Sequence, residues 1–188
     1  MIKDIHFTAC ENSSFVTTKR MHYKQKDIDK IWDMVEVHDS VAVLIYHKEK
    51  NAFILVKQLR PPVYLKNKDG FTYELCAGIV DKDCSLTQIV KEEIDEECGF
   101  NVPAEKIEKI TSFYTAVGFA GSKQSLYYCE VDETMHDHEG GGIHVEDIEV
   151  IYLDVNEIES FIFDESKAKT PGVMYAMMWW KQKYETSL

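Results

Sequence analysis

The sequence predicts an α/β fold: a mixed β-sheet held between helices, with an antiparallel β extension at the N-terminus. Three observations predict it. Residues 40–47 (SVAVLIYH) and 52–60 (AFILVKQLR) are near-continuous apolar runs rich in β-branched side chains, the pattern of strands buried on both faces. Residues 86–98 carry an apolar stripe of helical period between Ser85, a good N-cap, and Gly99, a good helix stop. Strand-like segments then lead on to a proline-started helix near the C-terminus, which suits a sheet with covering helices.

Taken in order, residues 1–37 read as an N-terminal β unit, with IHFTA and FVTTKRMHYK as β-rich stretches around the turn-prone CENSS. Trp32 follows, either as a core or dimer-contact aromatic or as a ring that stacks on a nucleobase. KEKN joins the two apolar strands as a hairpin turn, and Arg60 closes the second just before Pro61-Pro62. It is either a rim charge or a guanidinium fork for phosphate. KNKDG is a turn, and FTYELCAG (71–78) is a strand leading to the helix. After the helix come strands at 107–116 and 124–131, joined by the loop VGFAGSK, whose glycines allow close backbone approach. Residues 132–148 form a polar loop made mobile by Gly140, Gly141 and Gly142, a candidate lid. The strand EVIYLD, a short helix over 155–163 and a terminal helix started by Thr170-Pro171 complete the chain. The predicted division is an N-terminal extension, 1–37, and a main domain, 38–188.

Composition bounds the function. The 188 residues suffice for one domain with a substantial core, and the net charge of −12 argues against general binding to nucleic acid or anionic membranes. MIKDIHFTAC does not read as a signal peptide, and no apolar run has transmembrane length. Cys10, Cys76, Cys84, Cys98 and Cys129 lack metal-type spacing and read as reduced thiols of a cytoplasmic protein.

The helix at 86–98 carries the chemistry. Glu93 and Glu97 fall on the same face as Leu86, Ile89 and Val90, with Glu96 at its edge. Like charges at this spacing, near a helix C-terminus, oppose one another and the macrodipole. A hard divalent cation reverses that balance.

The segment resembles the box of the Nudix hydrolase superfamily: Gly, five residues, Glu, seven residues, then Arg-Glu-aliphatic-x-Glu-Glu-x-Gly-aliphatic. Gly78, Glu93, Ile94, Glu96, Glu97, Gly99 and Phe100 match in register, whereas Cys84 replaces the first Glu and Glu92 replaces the Arg. VKQLRPPVY resembles the strand end of the enzymes that hydrolyse nucleoside diphosphate sugars. ELCAGIVD and GFAGSKQSLYYCEV are similar to their UDP-sugar diphosphatase branch. The resemblance implies a Nudix-type fold. It also implies Mg²⁺, or Mn²⁺ in its place, held by Glu93, Glu96, Glu97, Glu146 and the Ala77 carbonyl. Glu93, Glu96, Glu146 and a general base, His144, carry catalysis. Trp32, Arg60, Glu74 and Gly118 contact the substrate, with Glu74 otherwise a paired acid at the sheet edge. The implied reaction is hydrolysis of the diphosphate bond by a homodimer, UDP-glucose first and ADP-ribose second, giving a nucleoside monophosphate and a sugar 1-phosphate. A non-catalytic nucleotide-binding module is the rival reading, for which Cys84 and Glu92 are the evidence.

Overall fold

The structure is a computed structural model that describes residues 3–11, 13, 15–143 and 146–184. Its main element is a seven-stranded mixed sheet. The strands β3 (Ser40–His47), β4 (Ala52–Leu59), β5 (Phe71–Glu74), β7 (Glu108–Tyr114) and β8 (Lys123–Val131) run in the order β5-β4-β3-β8-β7. Two more strands, β6 (Cys76–Ile79) and β9 (Ile148–Asp154), pair with β3 and β4 respectively. All neighbours are antiparallel except β3 and β8, which are parallel.

Both faces of the central strands are covered, which explains their unbroken apolar sequence. Val41, Val43, Ile45, Ile54 and Val56 meet Ile89, Val90, Ile94 and Cys98 of helix α2 (Leu86–Cys98). From the opposite face Ala42, Leu44, Phe53 and Leu55 meet helices α3 (Ile158–Phe163) and α4 (Pro171–Tyr184) through Ile158, Phe161, Val173, Ala176, Met177 and Trp180. The sheet thus lies between helices, as the sequence predicts.

Two local expectations are corrected, and one helix is added. Residues 5–9 (IHFTA) form no strand; they are exposed and have no ladder partner among the described residues, without which β-propensity decides little. The extension is instead a two-stranded hairpin, β1 (Thr17–Gln25) against β2 (Ile28–Glu36), with Lys26 and Asp27 at positive φ in the turn. Residues 61–67 form a short helix, α1 (Pro61–Asn67); both prolines sit at its start, where a missing N–H is harmless. The expected strand 71–78 breaks at Leu75, where the chain passes from pairing with β4 (Val56 with Glu74) to pairing with β3 (Val43 with Cys76).

The glycine loop bears on the site, because its backbone bonds to the end of α2. Gly140, Gly141 and Gly142 adopt φ of 69°, 105° and 84°. This conformation aims Gly141 N–H at the Glu97 carbonyl (2.9 Å) and Gly142 N–H at the Glu96 carbonyl (3.0 Å). Asp137 N–H donates to the Gly99 carbonyl at 2.9 Å. These donors satisfy carbonyls that a helix end otherwise leaves orphaned.

Candidate active site

Ser85 caps α2 by accepting from Gln88 N–H at 3.2 Å, and Gly99 ends it at φ 76°. The apolar stripe docks the helix against the sheet, and this brings Glu93 and Glu97 inward with it. Glu97 is buried, at 4% exposure, and accepts from Ala77 N–H on β6 at 3.0 Å. Glu93 lies against Gly78, where a Cβ would fall 1.9 Å from Glu93 Oε1. A Cβ there would force the Glu93 side chain to move, so the glycine lets that carboxylate lie against β6.

Burial pushes Glu93 up to about 7, reinforced by the charge of Glu96. Burial pushes Glu97 further, to about 8, against the opposing effect of the Ala77 amide. Both carboxyls therefore sit where their ionised forms are opposed by desolvation and by each other.

Glu146 reaches the group from the far side. Its Oε2 accepts from Ile143 N–H at 2.9 Å, and its charge raises both Glu93 and Glu97. Gly142 makes room for it, since a Cβ there would lie 2.7 Å from both Cβ and Oε2 of Glu146. The pinned loop thus carries Glu146 to the box helix. Glu96 is half-buried and holds the loop through its carbonyl. His144 lies outside the described residues.

Arg60 and Glu74 meet each other. Arg60 Nε and one terminal nitrogen fork onto the two carboxylate oxygens of Glu74, both at 2.7 Å. The fork that the sequence offered to phosphate is engaged by the second predicted substrate contact, and the other terminal nitrogen lies outside the pair. Arg60 also feels the charges of Glu97 and Glu146. Glu74 and Ala77 line a cavity of about 390 Å³, completed by Phe113 to Ala116, Gln124 and the start of α4.

Trp32 and Gly118 are also brought together. Trp32 Nε1 donates to the Gly118 carbonyl at 2.9 Å, and Val35 N–H donates to the Phe119 carbonyl at 2.8 Å. These bonds tie the hairpin to the β7–β8 connection, whose first residues, Thr115 and Ala116, line the cavity. Gly118 has open space where a Cβ would stand, so its carbonyl, not a close backbone approach, gives it a role here.

The acid set suits a hard divalent cation: several carboxylates gather there, two of them resisting ionisation. Among the described residues no three His, Cys, Asp or Glu side chains form a ready-made cage. Glu97 turns to the Ala77 amide and Glu146 to Ile143, so these two carboxylates are held by backbone donors.

No protein-family model matches the chain. The uridine diphosphate glucose pyrophosphatase NUDT14 of Bos taurus is 31% identical, over 95% of this chain and 93% of its own length. The chain belongs to the Nudix nucleoside-diphosphate-sugar pyrophosphatases. The Mus musculus protein of the same name is 31% identical, with 90% of each chain covered. A GDP-mannose pyrophosphatase of Cronobacter sakazakii is 36% identical, over 71% of this chain and 70% of its own.

As a Nudix protein the chain departs from its box at two positions. Cys84 is exposed. Glu92, in the Arg position, accepts from Lys82 at 2.6 Å and from Gln88 at 2.9 Å. Lys82 therefore returns a positive charge to this part of the box, and its field favours ionised Glu93. The sequence reading missed Lys82. A misplaced acid in the motif was the available signal, because a buried-edge acid calls for a cation nearby.

Proposed function

We propose that this Nudix pyrophosphatase hydrolyses the diphosphate bond of nucleoside diphosphate sugars, with UDP-glucose as the preferred substrate and Mg²⁺ as the cofactor. One observation carries the reading. Glu97 of the box helix bonds to the Ala77 amide, Arg60 forks onto Glu74, and Ala77 and Glu74 line the same cavity, while the charge of Glu146 reaches Glu93, Glu97 and Arg60. The names of the mammalian relatives, alignable over nearly the whole chain, favour UDP-glucose over ADP-ribose.

Glu93, Glu96, Glu97, Glu146 and the Ala77 carbonyl would hold a divalent cation, which would neutralise the diphosphate and lower the pKa of the attacking water. Arg60 takes one phosphate oxygen with the nitrogen that Glu74 leaves over. Trp32, fixed at its indole N–H by Gly118, offers its ring to the base. His144 takes the water's proton. Water adds to one phosphorus, the bridging P–O bond breaks, and a nucleoside monophosphate and a sugar 1-phosphate leave. Retention of Glu93, Glu96 and Glu97, with Lys82 balancing Glu92, weighs against a non-catalytic module.

The active form in this reading is a cytoplasmic homodimer. The hairpin leaves Met21, Ile28, Ile31 and Trp32 half or more exposed, apolar surface suited to a second copy. The five cysteines are all free, which suits a reducing compartment.

The deciding experiment is a hydrolysis panel of UDP-glucose, GDP-mannose, ADP-ribose, ADP-glucose and diadenosine diphosphate, with Mg²⁺ and with chelator. Highest kcat/KM on UDP-glucose, lost with chelator, is expected. Highest activity on ADP-ribose transfers the assignment to that substrate, and no turnover on any member overturns it.

A further inference from the structure

The Arg60–Glu74 pair has a third member that does not face the cavity. Thr72 and Glu74 are two residues apart on β5, so their side chains share one face of the sheet. Both are buried, Thr72 at 5% and Glu74 at 8% exposure. Thr72 Oγ1 donates to Glu74 Oε1 at 2.5 Å, while its distance to the alternative acceptor, the Gln58 carbonyl, is 3.5 Å. A hydroxyl has one proton, so the short contact takes it. The same Oε1 also receives Arg60 Nε.

We propose that Thr72 is a positioning residue for substrate binding. Its hydroxyl fixes the rotation of the Glu74 carboxylate, and that carboxylate in turn fixes the plane of the Arg60 guanidinium. A carboxylate free to rotate would still attract Arg60, but it would not hold the fork in one plane. The outlying Arg60 nitrogen would then not be presented to the diphosphate in one direction. Buried hydrogen bonds to charged groups are the stronger kind, and losing one leaves a charged oxygen short of a donor. The Lys19–Glu36 pair, by contrast, is exposed on both sides. This inference rests on the reading of Arg60 as a phosphate contact.

The test is steady-state kinetics of the full-length protein on UDP-glucose at saturating Mg²⁺, comparing Thr72→Val, Thr72→Ser and Arg60→Lys with wild type. Valine keeps the shape and β-branching and removes the hydroxyl. KM should rise by about 3- to 10-fold with kcat within about 2-fold. Serine keeps the hydroxyl and should restore KM to near the wild-type value, a rescue that a packing role would not give. An unchanged KM in Thr72→Val beside a raised KM in Arg60→Lys overturns the role of Thr72 alone. An unchanged KM in Arg60→Lys removes the phosphate contact on which it rests. If serine raises KM as much as valine, packing and not the hydroxyl is responsible, and the inference fails. Thr72→Ala runs in parallel should the valine variant fail to fold, with the same outcomes deciding.

Discussion

Replacing Glu97 by glutamine should stabilise the metal-free protein and cripple the enzyme. With a folded pKa of about 8 against an ordinary value of 4.5, Glu97 binds its proton more tightly in the native state than in the unfolded one. Stability contributed by that proton is complete below pH 4.5 and is lost as pH rises toward 8. At pH 7 about 2.5 pH units of that interval have been crossed. At 1.36 kcal/mol per unit this amounts to roughly 3 kcal/mol. Coupling to Glu93 makes the figure a ceiling. Glutamine never ionises and its oxygen can still accept from Ala77 N–H, but its NH₂ group must be buried, at about 1–2 kcal/mol. The net gain at pH 7 is then roughly 1–2 kcal/mol. For a chain of this size that raises Tm by about 2–8 °C. The assay is thermal melting of both proteins in chelator and in millimolar Mg²⁺, at pH 7 and pH 5. Glu97→Gln should melt higher than wild type in chelator at pH 7, lose that advantage at pH 5, and gain less than wild type from Mg²⁺. Its turnover should fall by about 10²-fold or more. A variant that melts below wild type in chelator at pH 7, yet gains from Mg²⁺ as wild type does, would refute the reasoning.

Three further outcomes are expected. Arg60→Lys should raise KM by about 10-fold and change kcat little, because lysine keeps the charge but not the fork; initial-rate kinetics decide this. Gly142→Ala forces a Cβ to 2.7 Å from Glu146 at φ 84°, so it should lower apparent Mg²⁺ affinity by about 10-fold, read from the Mg²⁺ dependence of the rate. His144→Gln should cut turnover by about 10²-fold and abolish a rate limb near pH 6–7; a retained limb moves the base elsewhere.

Much of the fold is legible in the sequence because it rests on strong local signals. The doubly buried β3 and β4, the capped α2 and the Thr170-Pro171 start of α4 each satisfy their own rules before any tertiary contact is considered. Glu93 and Glu97 are legible for the same reason: helical period puts them on the apolar face, and the structure buries Glu97 there. What was not legible depends on partners remote in sequence. Residues 5–9 look β-prone but meet no strand, and Leu75 is a break only because two different strands claim its two sides. Three glycines in a row read as freedom. Here their positive φ values serve to aim amides at the end of a helix some forty residues earlier. Arg60 and Glu74 were each read separately, and neither position reveals that the other is its partner.

The pinning of the loop also provides a built-in reporter. The amide protons of Gly141 and Gly142 are covered only while they bond to the carbonyls of Glu97 and Glu96, the residues whose side chains lie in the acid cluster. Their exchange with deuterated solvent therefore measures release of the loop from the box helix, with no label placed in the site. Exchange at these two amides, followed with and without cation and nucleotide sugar, distinguishes a loop that lifts on every catalytic cycle from one that is set in place when the chain folds.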